Sequence, residues 1–121
     1  MSDEETIRSL IGRYAQLIDD GDFDEWGDLF VDDARLDAAG HVLDGRAAIL
    51  DFIRSSYGGA TTTHMFSVPD IVVDTDEARV ATDFLLVQNN GTAAGVGRTH
   101  DVWVRSDGRW RLSSRQITLK T

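Results

Sequence analysis

The chain has no cysteine and a single proline. Without thiols it can form neither a disulfide framework nor a thiolate metal site, so its stability has to come from packing, which suits a reducing compartment. Basic residues are few beside acidic ones, 12 Lys and Arg against 21 Asp and Glu, and the formal net charge is −9. Such a field repels phosphate backbones and anionic membrane surfaces, and no local Lys/Arg cluster offsets it; nucleic acid is excluded as an expected partner. Apolar runs are short everywhere, none approaching the ~18 residues of a membrane span. The first residues, Met1-Ser2-Asp3-Glu4-Glu5, lack the basic start and apolar stretch of a signal peptide. The expectation is a cytoplasmic protein with no membrane partner.

What is present fits one ordinary globular unit. With 121 residues, 41% hydrophobic and 27% charged, the chain has the size and balance of a single domain over 1–121 with one core. From Ile7 onward Leu10, Ile11, Tyr14, Leu17 and Ile18 recur at spacings of three and four, which predicts a helix from near Asp3 that Gly21 ends. Phe23, Trp26, Leu29 and Phe30 repeat that spacing behind Asp22 as N-cap, predicting a second short helix to Phe30. Asp33 to Ala39 is short and partly alternating. A turn at Gly40 and an extended piece through Val42-Leu43 follow, then a third helix from about Arg46 to Tyr57, stopped by Gly58-Gly59.

Beyond this point helical spacing gives way to four runs rich in β-branched and aromatic residues: Thr61 to Val73, Ala78 to Gln88, Thr92 to Arg105 and Trp110 to Leu119. Their separators, Thr75-Asp76, Asn89-Asn90-Gly91 and Ser106-Asp107-Gly108, are hairpin turns in composition, so consecutive strands are expected to pair antiparallel. Pro69 cannot donate to a ladder and marks a bulge or kink in the first run. The expected architecture is α+β, a cone of three N-terminal helices packed on a strongly curved antiparallel sheet with a cavity between the layers. The run Val80 to Val87 is apolar on both parities. Helices cover only one face of a sheet, so the outer face is expected to bury itself in a homodimer.

Several segments carry a resemblance. Tyr14-Ala15-Gln16-Leu17-Ile18-Asp19-Asp20-Gly21-Asp22-Phe23 and Leu29-Phe30-Val31-Asp32-Asp33-Ala34 resemble the opening of the nuclear transport factor 2-like, or SnoaL-like, proteins. Gly45-Arg46-Ala47-Ala48-Ile49 looks like that family's third-helix start, Thr63-His64-Met65-Phe66 like its first long strand, and Arg105-Ser106-Asp107-Gly108-Arg109-Trp110-Arg111-Leu112 like its final hairpin. The match runs in order along almost the whole chain and implies a cone-shaped α+β barrel. It does not specify the chemistry, because isomerases, dehydratases, epoxide hydrolases and non-catalytic binders share the scaffold.

His64 shares one face of its strand with Thr62 and Phe66 by period-two alternation. An enclosed imidazole can act as a base near neutrality, and an adjacent carboxylate would orient it. The resemblance to scytalone dehydratase and hexachlorocyclohexane dehydrochlorinase implies that Asp19 is that carboxylate; the same two residues also read as a hydrogen-bonded core histidine and a solvated helix end. Tyr14 lies on the inward helical stripe. Resemblance to ketosteroid isomerase gives it the role of an oxyanion donor and gives Asp101 the place of the partner carboxyl, whereas that enzyme's base position falls on Ala38, which cannot move a proton. Asp83 matches a strand position that carries a histidine or an acid in relatives, and an ion pair with Arg98, Arg105 or Arg115 is its alternative reading.

Trp26, Phe66 and Trp103 are read as pocket wall or core. His41 is expected to be exposed and His100 to face away from the pocket. The three histidines lack the spacing of a metal site, and neither metal nor cofactor is expected. The leading expectation is a cofactor-independent lyase or isomerase for a small, mostly apolar, oxygenated or cyclic molecule. Its catalytic residues would be His64, Asp19 and Tyr14, with Asp83, Asp101, Trp26, Phe66 and Trp103 at the substrate. The alternatives are a non-catalytic binding or accessory protein using the same pocket and, more remotely, a dimeric interaction module.

Overall fold

The computed structural model describes residues 1–57 and 61–120; the expected stop at Gly58-Gly59 lies outside them. Helix α1 (Asp3–Asp20) opens with a capping box, Ser2 Oγ accepting from the Glu5 amide while Glu5 accepts from the Ser2 amide. Asp3, Glu4 and Glu5 in its first turn complement the positive end of the helix dipole. It ends at Gly21, whose φ of 77° is a left-handed conformation that glycine adopts without a Cβ clash. Its apolar stripe is inward, with Ile7, Ile11, Tyr14, Leu17 and Ile18 buried.

Helix α2 (Phe23–Gly27) is shorter than expected. Asp22 makes no side-chain cap, and Phe30 opens strand β1 (Phe30–Ala38) instead of closing the helix. The helical spacing continues to Phe30 because Leu29 and Phe30 serve the same core from a turn and a strand. Strand β2 (His41–Asp44) and helix α3 (Arg46–Tyr57) follow, the latter with the bounds the spacing predicts.

The expected single strand from Thr61 to Val73 is two, β3 (Thr62–Phe66) and β4 (Asp70–Asp74), both antiparallel to β5 (Glu77–Gln88). Phe66 faces Phe84 and Asp70 faces Ala81, so Ser67-Val68-Pro69 carries one residue more than the opposing segment, and the irregularity falls at the proline. Strands β6 (Ala93–Ser106) and β7 (Arg109–Leu119) complete the sheet, ordered β2-β1-β7-β6-β5-β3 with β4 beside β3's partner.

The sheet is mixed, not wholly antiparallel. β1 pairs with β7 in parallel, Leu36 opposite Arg115 and Ala38 opposite Ile117, because the N-terminal strand, which belongs to no hairpin with β7, meets it only after the rest of the chain has crossed over. The sheet remains open, with β2 at one edge and β3 and β4 at the other. Register shifts after Leu86 and after Val102 interrupt the β5–β6 and β6–β7 ladders, irregularities of the kind that bend a strand. One end of the cone is packed solid around Ile7, Trp26, Phe30, Trp103 and Leu112, each with no exposed surface. The other end is hollow. No described helix is long and apolar enough to cross a membrane.

Candidate active site

His64 lies on β3 opposite Leu86, and the period-two face of Thr62, His64 and Phe66 turns inward. β3 is an edge strand, so its free side presents unpaired amides. Asp19, in the last turn of α1, receives one of them: the His64 amide donates to both carboxylate oxygens at 3.1 and 3.0 Å. The ring follows the backbone, with His64 Nδ1 2.7 Å from Asp19 Oδ1. Side-chain exposure is 11% for His64 and 15% for Asp19, whereas the neighbouring Asp20 is exposed. A carboxylate can only accept, so Nδ1 carries the proton in this contact and Nε2 of the neutral ring is left as the acceptor. The rings of Tyr57 and Phe66 flank the imidazole, with centroids at 5.8 and 6.3 Å.

His64 forms part of the wall of a cavity of about 470 Å³ between α1, α3 and the inner sheet face, within the usual volume range of small-molecule sites. Leu36, Ala38, Phe52, Phe66, Phe84 and Ile117 give it an apolar lining. Phe84 is seated there by Gly97, where an added Cβ would come within 2.5 Å of the Phe84 ring and of the Thr118 carbonyl.

At the inner end Arg115 spans Tyr14 and Phe66, its guanidinium carbon 4.0 and 5.5 Å from the ring centroids. Its Nε and Nη2 donate to the two oxygens of Asp101, each at 2.8 Å, in a forked pair with side-chain exposures of 1% and 0%. Burial, the largest single influence, would lower the pKa of Arg115, but the Asp101 carboxylate and the Tyr14 hydroxyl together outweigh it and hold the guanidinium above its ordinary range. Burial pushes the Tyr14 hydroxyl up, against the opposing pull of Arg115. Burial likewise raises Tyr57, helped by Tyr14 and the negative charge of Asp19.

The structure brings His64, Tyr14 and Phe66 together at the cavity, with Asp19 behind the His64 ring, and removes four other candidates from its wall. Asp83 points to the outer face, where Arg98 and Lys120 hold it at 2.7 and 3.1 Å and lower its carboxyl to about 2. It sits one position from Phe84, and alternation sends the two to opposite faces. Asp101 is buried behind Arg115 and also accepts from Trp103 Nε1 at 3.3 Å; its oxygens are occupied by protein donors, so it is a support for the wall and not the wall. Trp26 and Trp103 have no exposed surface and belong to the solid core, where Trp26 packs against Phe30 at 4.7 Å. His100 is exposed, as is His41, which stacks on Phe52.

Arg115, Thr99, Ser56 and Tyr57 also line the cavity, and sequence reasoning did not assign them there. The signal for Arg115 was its parity with Ile117 and Leu119; for Ser56 and Tyr57 it was their place one helical turn beyond Phe52 and Ile53.

The family model described as SnoaL-like domain matches residues 1–116. No curated protein matches the chain by sequence. Among solved structures, an NTF2-like protein with a cystatin-like fold from Novosphingobium aromaticivorans is 26% identical, with a TM-score of 0.88, over 97% of this chain and 81% of that one. A candidate scytalone dehydratase from the same organism is 24% identical, with a TM-score of 0.85, over 97% and 83%. A protein of unknown function with a cystatin-like fold from Nostoc punctiforme is 21% identical, with a TM-score of 0.90, over 98% and 91%. At identities under 25% the likeness is one of fold.

Proposed function

We propose that this chain, which belongs to the SnoaL-like domain family, is a cofactor-independent lyase or isomerase that abstracts a proton from a small, mostly apolar, oxygenated or cyclic molecule. The observation that carries the reading is the 2.7 Å contact between His64 Nδ1 and Asp19 Oδ1 at the wall of an apolar cavity. Asp19 orients the ring, Nε2 faces the substrate as general base, and Tyr14 and Arg115 offer donors to the oxygen on which charge develops.

In an elimination the substrate C–H bond breaks, its electron pair becomes the new C=C bond, the carbon–oxygen bond breaks, and the leaving oxygen takes the proton back from His64. In an isomerisation the same proton returns to a different carbon. Both steps balance with one base and no added reagent. Two copies are proposed to pair through the outer sheet face, where Met65, Leu85 and Val96 stand opposite one another across β3, β5 and β6.

The test follows loss of C–H signal by NMR in heavy water, with a panel of small cyclic ketones and hydroxy compounds. Replacing His64→Gln should slow exchange or elimination by at least ~100-fold, the usual worth of a positioned base, with little change in melting temperature. Equal rates in both proteins would reject the base. Non-catalytic binding is the second reading, favoured by the commitment of Asp83 and Asp101 to ion pairs, which leaves no carboxyl at the cavity wall itself among the described residues. On that reading the substitution alters affinity alone.

A further inference from the structure

An elimination needs an acid as well as a base, because hydroxide and alkoxide leave carbon readily only when they are protonated as they depart. Most polar groups at the cavity are unsuited to that task. Arg115 is held to Asp101 by two bonds of 2.8 Å and keeps its protons at any ordinary pH. Tyr14 shares its hydroxyl with Arg115 and Trp26. Thr99 Oγ1 donates to the Thr82 carbonyl at 3.3 Å, and Ser56 is an exposed aliphatic alcohol. No carboxyl stands at the wall among the described residues.

Tyr57 differs on each count. It is the last residue of α3 and lies beside His64, with the two ring centroids 5.8 Å apart and their planes at 40°, and both side chains belong to the cavity wall. Its hydroxyl is engaged in no hydrogen bond with a described residue. Burial, then the nearness of Tyr14 and of the Asp19 carboxylate, raise its pKa, so the group remains a donor throughout the neutral range. The carbon that loses its proton and the carbon that bears the leaving oxygen are neighbours in such a substrate. Acid and base therefore have to stand side by side, as these two rings do.

We propose that Tyr57 is the general acid of the elimination, giving its hydroxyl proton to the oxygen that leaves the substrate. The inference rests on His64 as the base and deepens that reading. The C–H bond breaks and its proton goes to Nε2; the electron pair forms the C=C bond; the carbon–oxygen bond breaks, and the departing oxygen takes the proton of Tyr57. The tyrosinate then recovers a proton from the imidazolium, and both side chains return to their starting states with no added reagent. Both transfers through Tyr57 run downhill, since imidazolium, phenol and water have ordinary pKa values of about 6.5, 10 and 15.7. The net balance equals direct return from His64, with Tyr57 as the carrier. An isomerisation has no leaving oxygen and does not call on this acid.

Two compounds that give the same enone test the proposal on the full chain: 3-hydroxycyclohexanone, which loses water, and 3-acetoxycyclohexanone, which loses acetate, a stable anion that needs no proton. Formation of 2-cyclohexenone is followed by ultraviolet absorbance. Tyr57→Phe is expected to slow the loss of water by at least ~100-fold, the usual worth of a positioned acid, and to leave the loss of acetate nearly unchanged, a split that a purely structural role would not produce. His64→Gln is expected to slow both. Tyr57→Phe slowing both reactions alike, or neither, overturns the proposal, as does a wild type that releases enone from neither compound. The expected split in Tyr57→Phe beside unaltered rates in His64→Gln would instead retain the acid and reject the base.

Discussion

Asp19 occupies a position where an acid is locally unfavourable. It lies with Asp20 in the last turn of α1, which has no basic residue, so both carboxylates face the negative end of the helix dipole. Local preference and observed residue disagree there, as they tend to at functional sites, and this conflict was legible in the sequence independently of the resemblance that selected Asp19. What the sequence could not supply was the choice between neighbours, since that depends on which carboxylate meets the free edge of β3. At the inner end of the cavity, Asp101 and Arg115 form a pair whose halves depend on each other. Arg115→Met alone should destabilise the fold by about 3–5 kcal/mol because it leaves a buried carboxylate uncompensated, whereas the double change to apolar residues should be near neutral; urea denaturation of the two variants checks the difference. Tyr14 and Tyr57 set an alkaline limit. Burial raises both, so their contribution to stability is fully present below the unfolded value near 10 and is lost as pH rises through their higher folded values. The wild type should lose stability above about pH 10 more steeply than Tyr14→Phe, as read from denaturant midpoints across that range.

At the scale of elements, the strand turns and helix limits were readable and the register was not. The two-residue turn at Asp107-Gly108 sets Ser106 opposite Arg109 and Trp103 opposite Leu112, but one shifted position beyond Val102 brings Asp101 opposite Arg115 instead of Ser114. A regular ladder drawn from the turn would have separated the pair that builds the inner wall, because a bulge leaves no sure mark in composition. The parallel partnership of β1 and β7 was hidden for a related reason: it depends on long-range closure and not on any hairpin signal. Gly97 shows the reverse case, a residue whose need appears only in packing. Gly97→Ala places a Cβ against the Phe84 ring and the Thr118 carbonyl, and the backbone oxygen cannot swing aside as a side chain could. It should cost about 1–3 kcal/mol and displace Phe84 into the cavity, which thermal denaturation and a drop in ligand affinity would report together.

For the whole molecule, one cone is divided between a solid end, where the large core side chains pack, and a hollow end that encloses the cavity. Fold class was legible because helical and alternating periods separate cleanly along the chain. The outer sheet face is the region where sequence and structure leave a surface unbalanced: Met65 and Val96 are exposed on either side of half-buried Leu85, an apolar row on a protein that is otherwise strongly acidic. Pairing of two copies there predicts a concentration-dependent dimer in sedimentation, shifted toward monomer by Met65→Asp. A monomer at all concentrations would contradict it.

His64 can serve as the base only if the nitrogen turned away from Asp19 is bare. Nitrogen-15 NMR of the His64 ring in its neutral form measures this directly and needs no substrate. The 2.7 Å contact predicts the proton on Nδ1, shared with Asp19, and an unprotonated Nε2. A neutral ring protonated on Nε2 would contradict the proposal, because the face turned to the substrate would then carry a donor where a base is required.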